Sequence, residues 1–426
     1  MVKVTGKKRS LYNSSLVTLL TKKVSKLNSS FKSEKYNKQG GSSMDKINEI
    51  IKKIRKKESV IEVKNGEKLA INNSRLSSRG NTTNERHSNF KGLNIGILAK
   101  EAANIDIKNS MISTTGKGMN AAFSYGEGTF IDIDNVIIKT KGNFSNGLSA
   151  GLMGTIHAHD ISINTEGDNS AAISVYYENG IIDASNVTGL CDGNNSPCIY
   201  SKGNIVIQDS SFKTEKAPGA IVDGSSLVIN NTTINSKESY GIVLLEKNGK
   251  DRKMGKCVFT SNLGSITAGK GALFYVTNTE AIVTLFNTKL ITSNTSNILV
   301  NACKGSWEGE GSNGGKLNLI GDHQTLKGDI LCDELSSVNL NLKNYTYFTG
   351  IINERKKGAV SINLDSTSVW TLKGNSYIDY LIDENKELKN IVDNGYTIYY
   401  NSKNEKNNWL ESREHSLSGG GKLIPV

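Results

Sequence analysis

Two histidines, His157 and His159, stand two residues apart in the run TIHAH. If that run is a strand, alternation puts both imidazoles on one face. Similar runs precede and follow it, carrying Asp106 with Lys108, Asp132 with Asp134, and Asp183 with Ser185. Stacked at a strand spacing of about 4.8 Å, they make two columns, Asp106–Asp132–His157–Asp183 and Lys108–Asp134–His159–Ser185. Three chemistries compete for this face. It could do general acid–base work on a sugar chain, with Asp132, His157 and Asp183 as the catalytic set. It could bind a ligand or a divalent metal through imidazole and carboxylate groups, drawing on Asp106, Asp132, Asp134, His157, His159 and Asp183. Or it is a solvated outer face whose ion pairs contribute about 0–1 kcal/mol each. The solvated face is the plainest account, and binding ranks above catalysis. No catalytic residue, metal ligand or cofactor is therefore assigned, with a divalent metal kept as the alternative.

The elements that would position these residues repeat. TFIDIDNVIIKTKG, TIHAHDISINTEG and GIIDASNVTGLCDG are one phrase: an alternating run, an Asn or Asp, a second short run and a Gly. The phrase recurs with Asn109, Asn135, Asp160, Asn186, Asp209, Asn231, Asn262 and Asn287 as its Asn/Asp column, at steps of 22 to 31 residues. Asn73 fits one coil earlier. A period in the twenties marks a stacked-coil architecture. Asn and Asp tolerate the left-handed backbone of a sharp bend, and stacked amides can hydrogen-bond along the column. A second column, Ala122, Leu148, Ala172, Cys198, Ala220, Ile242, Ala272 and Ile298, follows 10 to 13 residues after the first. The expected interior is an aliphatic stack with a polar outside.

Composition agrees. Three prolines and 42 glycines among 426 residues suit short strands joined by Asn and Gly bends. No run of eighteen apolar residues is present, so no transmembrane segment is expected. The formal charge of +11 resides at one end: residues 1–60 hold sixteen Lys and Arg against four Asp and Glu. The body is near neutral, which does not point to nucleic acid. Cys191 and Cys198 could close a small loop disulfide, whereas Cys257, Cys303 and Cys332 are scattered and form no zinc motif.

The ends differ from the coils. Residues 1–43 read as a basic, disordered arm without a recognisable signal peptide. In 44–59, Ile47, Ile50, Ile51 and Ile54 fall at helical spacing, which predicts an amphipathic helix capping the first coil. Coils run over 60–314, with loops at Asn81–Lys91 (holding His87), Glu246–Lys256 and Ser306–Gly315. Residues 315–400 form longer, aromatic-rich closing coils, in which Tyr345, Tyr347, Phe348, Trp370, Tyr377, Tyr380, Tyr396, Tyr399 and Tyr400, with Trp409 just beyond, would fill and close the end. Residues 401–426 read as a polar tail.

The phrase I-D-I-x-N-x-x-I-x-T-x-G, followed by a small-residue strand, resembles right-handed parallel β-helix proteins of the pectate-lyase-like superfamily. The C-terminal SINLDSTSVWTLKGNSYIDYL, with NGYTIYY and GGGKL, is similar to the closing coils of bacterial adhesin-like and autotransporter-passenger-like repeat proteins. No membrane β-barrel sequence follows. The resemblance implies an all-β, right-handed parallel β-helix, extracellular or at the cell surface, more often adhesive or structural than catalytic. The fold hosts many functions. The Arg-Pro segment, Asp pairs and Gly-His-Gly segment typical of the lyases and galacturonases are absent. The expectation is a non-catalytic, adhesin-like β-helix presenting a binding face, with a glycan or other cell-surface ligand as partner. The alternatives are a polysaccharide lyase or glycoside hydrolase on the Asp132/His157/Asp183 face, and an arm that binds nucleic acid or anionic membrane.

Overall fold

Alternating runs become short parallel strands, and the Asn/Asp column becomes the bend between them. The computed structural model describes residues 46–54, 59–82, 84, 92–177, 179–247, 255–293, 295–305 and 313–426. The arm 1–43 and His87 lie outside the described residues, as do the middles of the loops around 250 and 310. The chain divides into two units, Met1–Cys191 and Asp192–Val426. Each is an all-β parallel β-helix; in the first unit successive strands go to three sheets in turn, and in the C-terminal coils two of those sheets give way to two four-stranded ones.

In the first unit, the first sheet comprises Lys46–Ile47, Lys68–Asn72, Asn104–Lys108, Phe130–Asp134, Thr155–His159 and Ile181–Ser185. The second sheet runs from Ile50–Ile54 through Arg75–Arg79, Met111–Thr114, Ile137–Thr140 and Ser162–Thr165 to Thr188–Asn194. The third runs from Ile61–Val63 to Ile173–Val175. Ile105, Ile131, Ile156 and Ile182 lie in register and are all fully buried, so the aliphatic stack is real. Between strands the backbone turns through left-handed residues, with φ of 49° at Asn109, 50° at Asn135, 56° at Asp160 and 53° at Asn186. Asn135 Nδ2 donates to Asn109 Oδ1 at 2.8 Å, and Asn186 Nδ2 donates to Asp160 Oδ1. The closing glycines also stack. A Cβ on Gly142 would collide with the carbonyl oxygen of Gly116, and one on Gly167 with that of Gly142.

Two expectations change. Residues 46–54 are not an amphipathic helix. They form the strands Lys46–Ile47 and Ile50–Ile54, paired with Lys68–Asn72 and Arg75–Arg79. Asn48 is the bend, at φ 57°, and its Oδ1 accepts from Asn73 Nδ2. The segment is one more coil, and β-branched isoleucines favour that state over a helix. The second column is also looser than it reads. Leu148 pairs with Ala122 on one side but with Ile173, not Ala172, on the other. Ile199, not Cys198, opposes Ala220, and Phe274, not Ala272, opposes Ile242.

In the second unit the first sheet runs from Asn204–Gln208 to Leu381–Asp383. The bend column continues through Asp209 and Asn231, but Asn262 is not part of it. Asn262 is register partner to Asn230, and the bend falls at Leu263, with φ 62°. Asn287 resumes the column, followed by His323 and Asn344. Of the C-terminal aromatics, Phe348, Trp370 and Tyr400 are fully buried, whereas Tyr345 and Tyr347 are exposed. Residues 401–426 are not a loose tail. They contain the 3₁₀ helix Glu405–Leu410 and the strand Lys422–Pro425, which pairs with Ile398–Tyr400. Leu381 N donates to Asn407 Oδ1 at 2.9 Å and Trp409 Nε1 to Leu381 O at 3.0 Å, so this segment closes the edge of the last strand in the first sheet. None of the five cysteines is in a disulfide, and Cys191 and Cys198 are both buried. No helix among the described residues is long and apolar enough to cross a membrane.

Candidate functional site

The columns of charged residues assemble as their spacing requires. Asp132 is register partner to Asp106 on one side and His157 on the other, and His157 is partner to Asp183. Asp134 stands between Lys108 and His159, and His159 is partner to Ser185. The isoleucines and alanines between them point inward, so all of these side chains share the outer face of the first sheet.

Side-chain contacts divide this face in two. No hydrogen bond or ion pair joins Asp132, His157 and Asp183 among the described residues. The His157 ring instead packs edge-on against Phe130, with centroids 4.7 Å apart at 85°. Asp106 accepts from Lys108 Nζ at 3.1 Å, and that hydrogen bond raises the pKa of Lys108. The second column is tighter. His159 Nδ1 lies 2.9 Å from Ser185 Oγ and Nε2 lies 3.6 Å from Asp160 Oδ2. Asp134, His159 and Asp160 bring one donor atom each within 4.8 Å of one another. Asp160 had been legible only as a bend residue. Its left-handed backbone also aims its carboxylate back along this face.

A second candidate lies on the first sheet of the second unit, where a groove of about 550 Å³ crosses five successive strands. By register, Val258, Ile282, Asn318, Asn339 and Ser361 form its floor. Asn339 Nδ2 donates to Asn318 Oδ1 at 3.3 Å, and Asn363 Nδ2 to Asn341 Oδ1 at 2.6 Å. Tyr380 flanks the floor. Its hydroxyl donates to Asn339 Oδ1 at 3.1 Å, and Lys406 Nζ sits 4.0 Å over its ring. On the other side Lys316 pairs with Glu280 at 3.3 Å. Alternation in SVNLNLKN already puts Asn339 and Asn341 on one face. In the sequence Tyr380 reads as one of the closing aromatics, because its position does not show which face it joins.

No protein-family model matches this chain, and no curated protein matches it.

Proposed function

We propose that this chain is a non-catalytic binding β-helix that holds a carbohydrate in the groove of its second unit. A sugar presents paired hydroxyls at its rim and C–H groups on its faces. The groove offers the complement: side-by-side amide donors and acceptors from Asn318 and Asn339, apolar surface from Val258 and Ile282, and an aromatic ring at the edge. The observation that carries the reading is the Tyr380–Asn339 hydrogen bond, which fixes ring and amide together as parts of one surface. The similarity to adhesin-like repeat proteins and the pectate-lyase-like superfamily supports placing that surface outside a cell. The same similarity makes turnover of a polysaccharide the competing reading.

A glycan array probed with the full chain tests this. Bound glycans should lose at least tenfold in affinity with Tyr380→Ala and with Ile282→Lys, both on the outer face. The protein should release no new reducing ends or unsaturated products from the glycans it binds. Failure to bind any glycan, or binding that ignores both substitutions, would sink the proposal. Cleavage that His157→Ala abolishes would make the protein an enzyme.

A further inference from the structure

We propose that Asp134, His159 and Asp160 in the first unit form a binding site for a divalent cation of the zinc class. One imidazole and two carboxylates are a ligand set of that class, and three protein ligands with an open fourth position match an accessible zinc site. Bonds of about 2.0 Å place tetrahedral ligand atoms roughly 3.3 Å apart. His159 Nε2 and Asp160 Oδ2 are already 3.6 Å apart, and all three donor atoms lie within 4.8 Å, a gap that small side-chain rotations on an exposed face can close.

The neighbours of the three residues prepare them for this role. His159 Nδ1 lies 2.9 Å from Ser185 Oγ; in the tautomer with its proton on Nδ1, the serine accepts that N–H and Nε2 is left bare, the outer hydrogen bond that ligating histidines commonly have. Asn186 Nδ2 donates to Asp160 Oδ1 and leaves Oδ2 for the ion. Asp160 also breaks the rule of its column. An amide there could donate to the coil below, as Asn135 donates to Asn109, whereas a carboxylate has no proton to give. Asp209 shows the other way to manage such an acid: Gln208 beside it donates from Nε2 to Asp209 Oδ2 at 2.9 Å. At the corresponding place beside Asp160 stands His159, with a second carboxylate, Asp134, one strand below. Two carboxylates gather around one imidazole, an arrangement that a cation resolves. Because Asp134 and His159 belong to adjacent strands, the ion would pin two coils together.

Isothermal titration of the full chain with zinc chloride tests the site. The expected result is one saturable zinc per chain at this site, weakened at least tenfold by His159→Gln, Asp134→Asn and Asp160→Asn. Asp160→Asn restores an amide to the column, so it keeps the fold while removing a ligand. Ser185→Ala touches no metal and should weaken binding by roughly tenfold through loss of orientation. Calcium and magnesium at the same concentration should not compete. Absence of saturable zinc binding overturns the proposal. So does binding that survives both His159→Gln and Asp160→Asn, since it would reside elsewhere.

Discussion

Asn390 donates from Nδ2 to Oδ1 of Asp383 at 3.0 Å inside the second unit, and the other oxygens of the same two side chains, Asp383 Oδ2 and Asn390 Oδ1, are buried without a partner. A proton on Asp383 removes the charge that burial disfavours and turns Oδ2 into a donor. Burial raises the pKa of Asp383 above its ordinary 3.8, against the hydrogen bonds from Asn390 and from Asn385 N and the nearby charge of Lys386, with Glu384 acting in the same direction as burial. The sign follows. A carboxyl with a raised folded pKa favours the folded state at low pH, and that contribution is lost as pH rises from 3.8 through the folded value. Asp383→Asn makes the side chain permanently neutral. It should stabilise the second unit at pH 7 by about 1 kcal/mol, with little effect at pH 4. Urea unfolding at the two pH values measures it.

Asp393 has the opposite sign. Its carboxylate accepts from Gly395 N at 2.7 Å, Gly419 N at 2.6 Å and Gly421 N at 3.0 Å, holding the C-terminal segment to the last coil. Burial alone would raise its pKa, but the three backbone donors outweigh it and the net shift is downward from 3.8. The stabilisation is therefore present above pH 3.8 and is lost as pH falls through the lower folded value. Asp393→Ala leaves three N–H groups without an acceptor and should cost about 1–3 kcal/mol. Amide exchange of Gly419 and Gly421 should accelerate first, before that of the inner coils.

The closing glycines give a prediction about shape. Gly116, Gly142 and Gly167 occupy one position in consecutive coils, and each places its α-carbon against the carbonyl oxygen of the coil before. The neighbouring atoms are backbone, which cannot swing aside. Gly142→Ala should destabilise the first unit by about 1–3 kcal/mol through overpacking. Gly66, with no atom within 4 Å of an added Cβ, gives the contrast in steric terms, although its φ of 71° adds strain of its own. The midpoint of thermal unfolding of each variant checks the difference.

What the sequence reveals follows from periodicity. Columns with a strict period, such as Ile131 to Ile156 and Asp132 to His157, are legible because one register places every residue between them. The fully buried Asn120 and Asn146, where Asn146 Nδ2 donates to Asn120 Oδ1 at 3.0 Å, have the same 26-residue step yet pass unnoticed among so many asparagines. Asn48 escapes for another reason: four isoleucines at helical spacing offer a second period, and strand–bend–strand wins because it pairs the otherwise open strand edges of the next coil. The Asp134–His159–Asp160 cluster needs a bend residue to point back along the strand face, which alternation alone does not encode. Tyr380 joins the groove through a contact 41 residues away in sequence.

Leu263 shows the same limit and yields a last prediction. It takes the bend position at φ 62°, between Asn231 and Asn287, while the Asn beside it, Asn262, turns instead to Asn230 Oδ1 at 2.7 Å. Leucine in the left-handed region costs roughly 1–2 kcal/mol, which asparagine largely avoids. The side chain is also 43% exposed, so it gains little from burial. Leu263→Asn should relieve the backbone and add an amide able to meet Asn231 and Asn287, raising stability by about 1–2 kcal/mol. A chemical-denaturation midpoint that moves up with an unchanged slope would show that the gain lies in the folded coil. A fall would mean that the exposed leucine packs against neighbours strongly enough to outweigh the strain it carries.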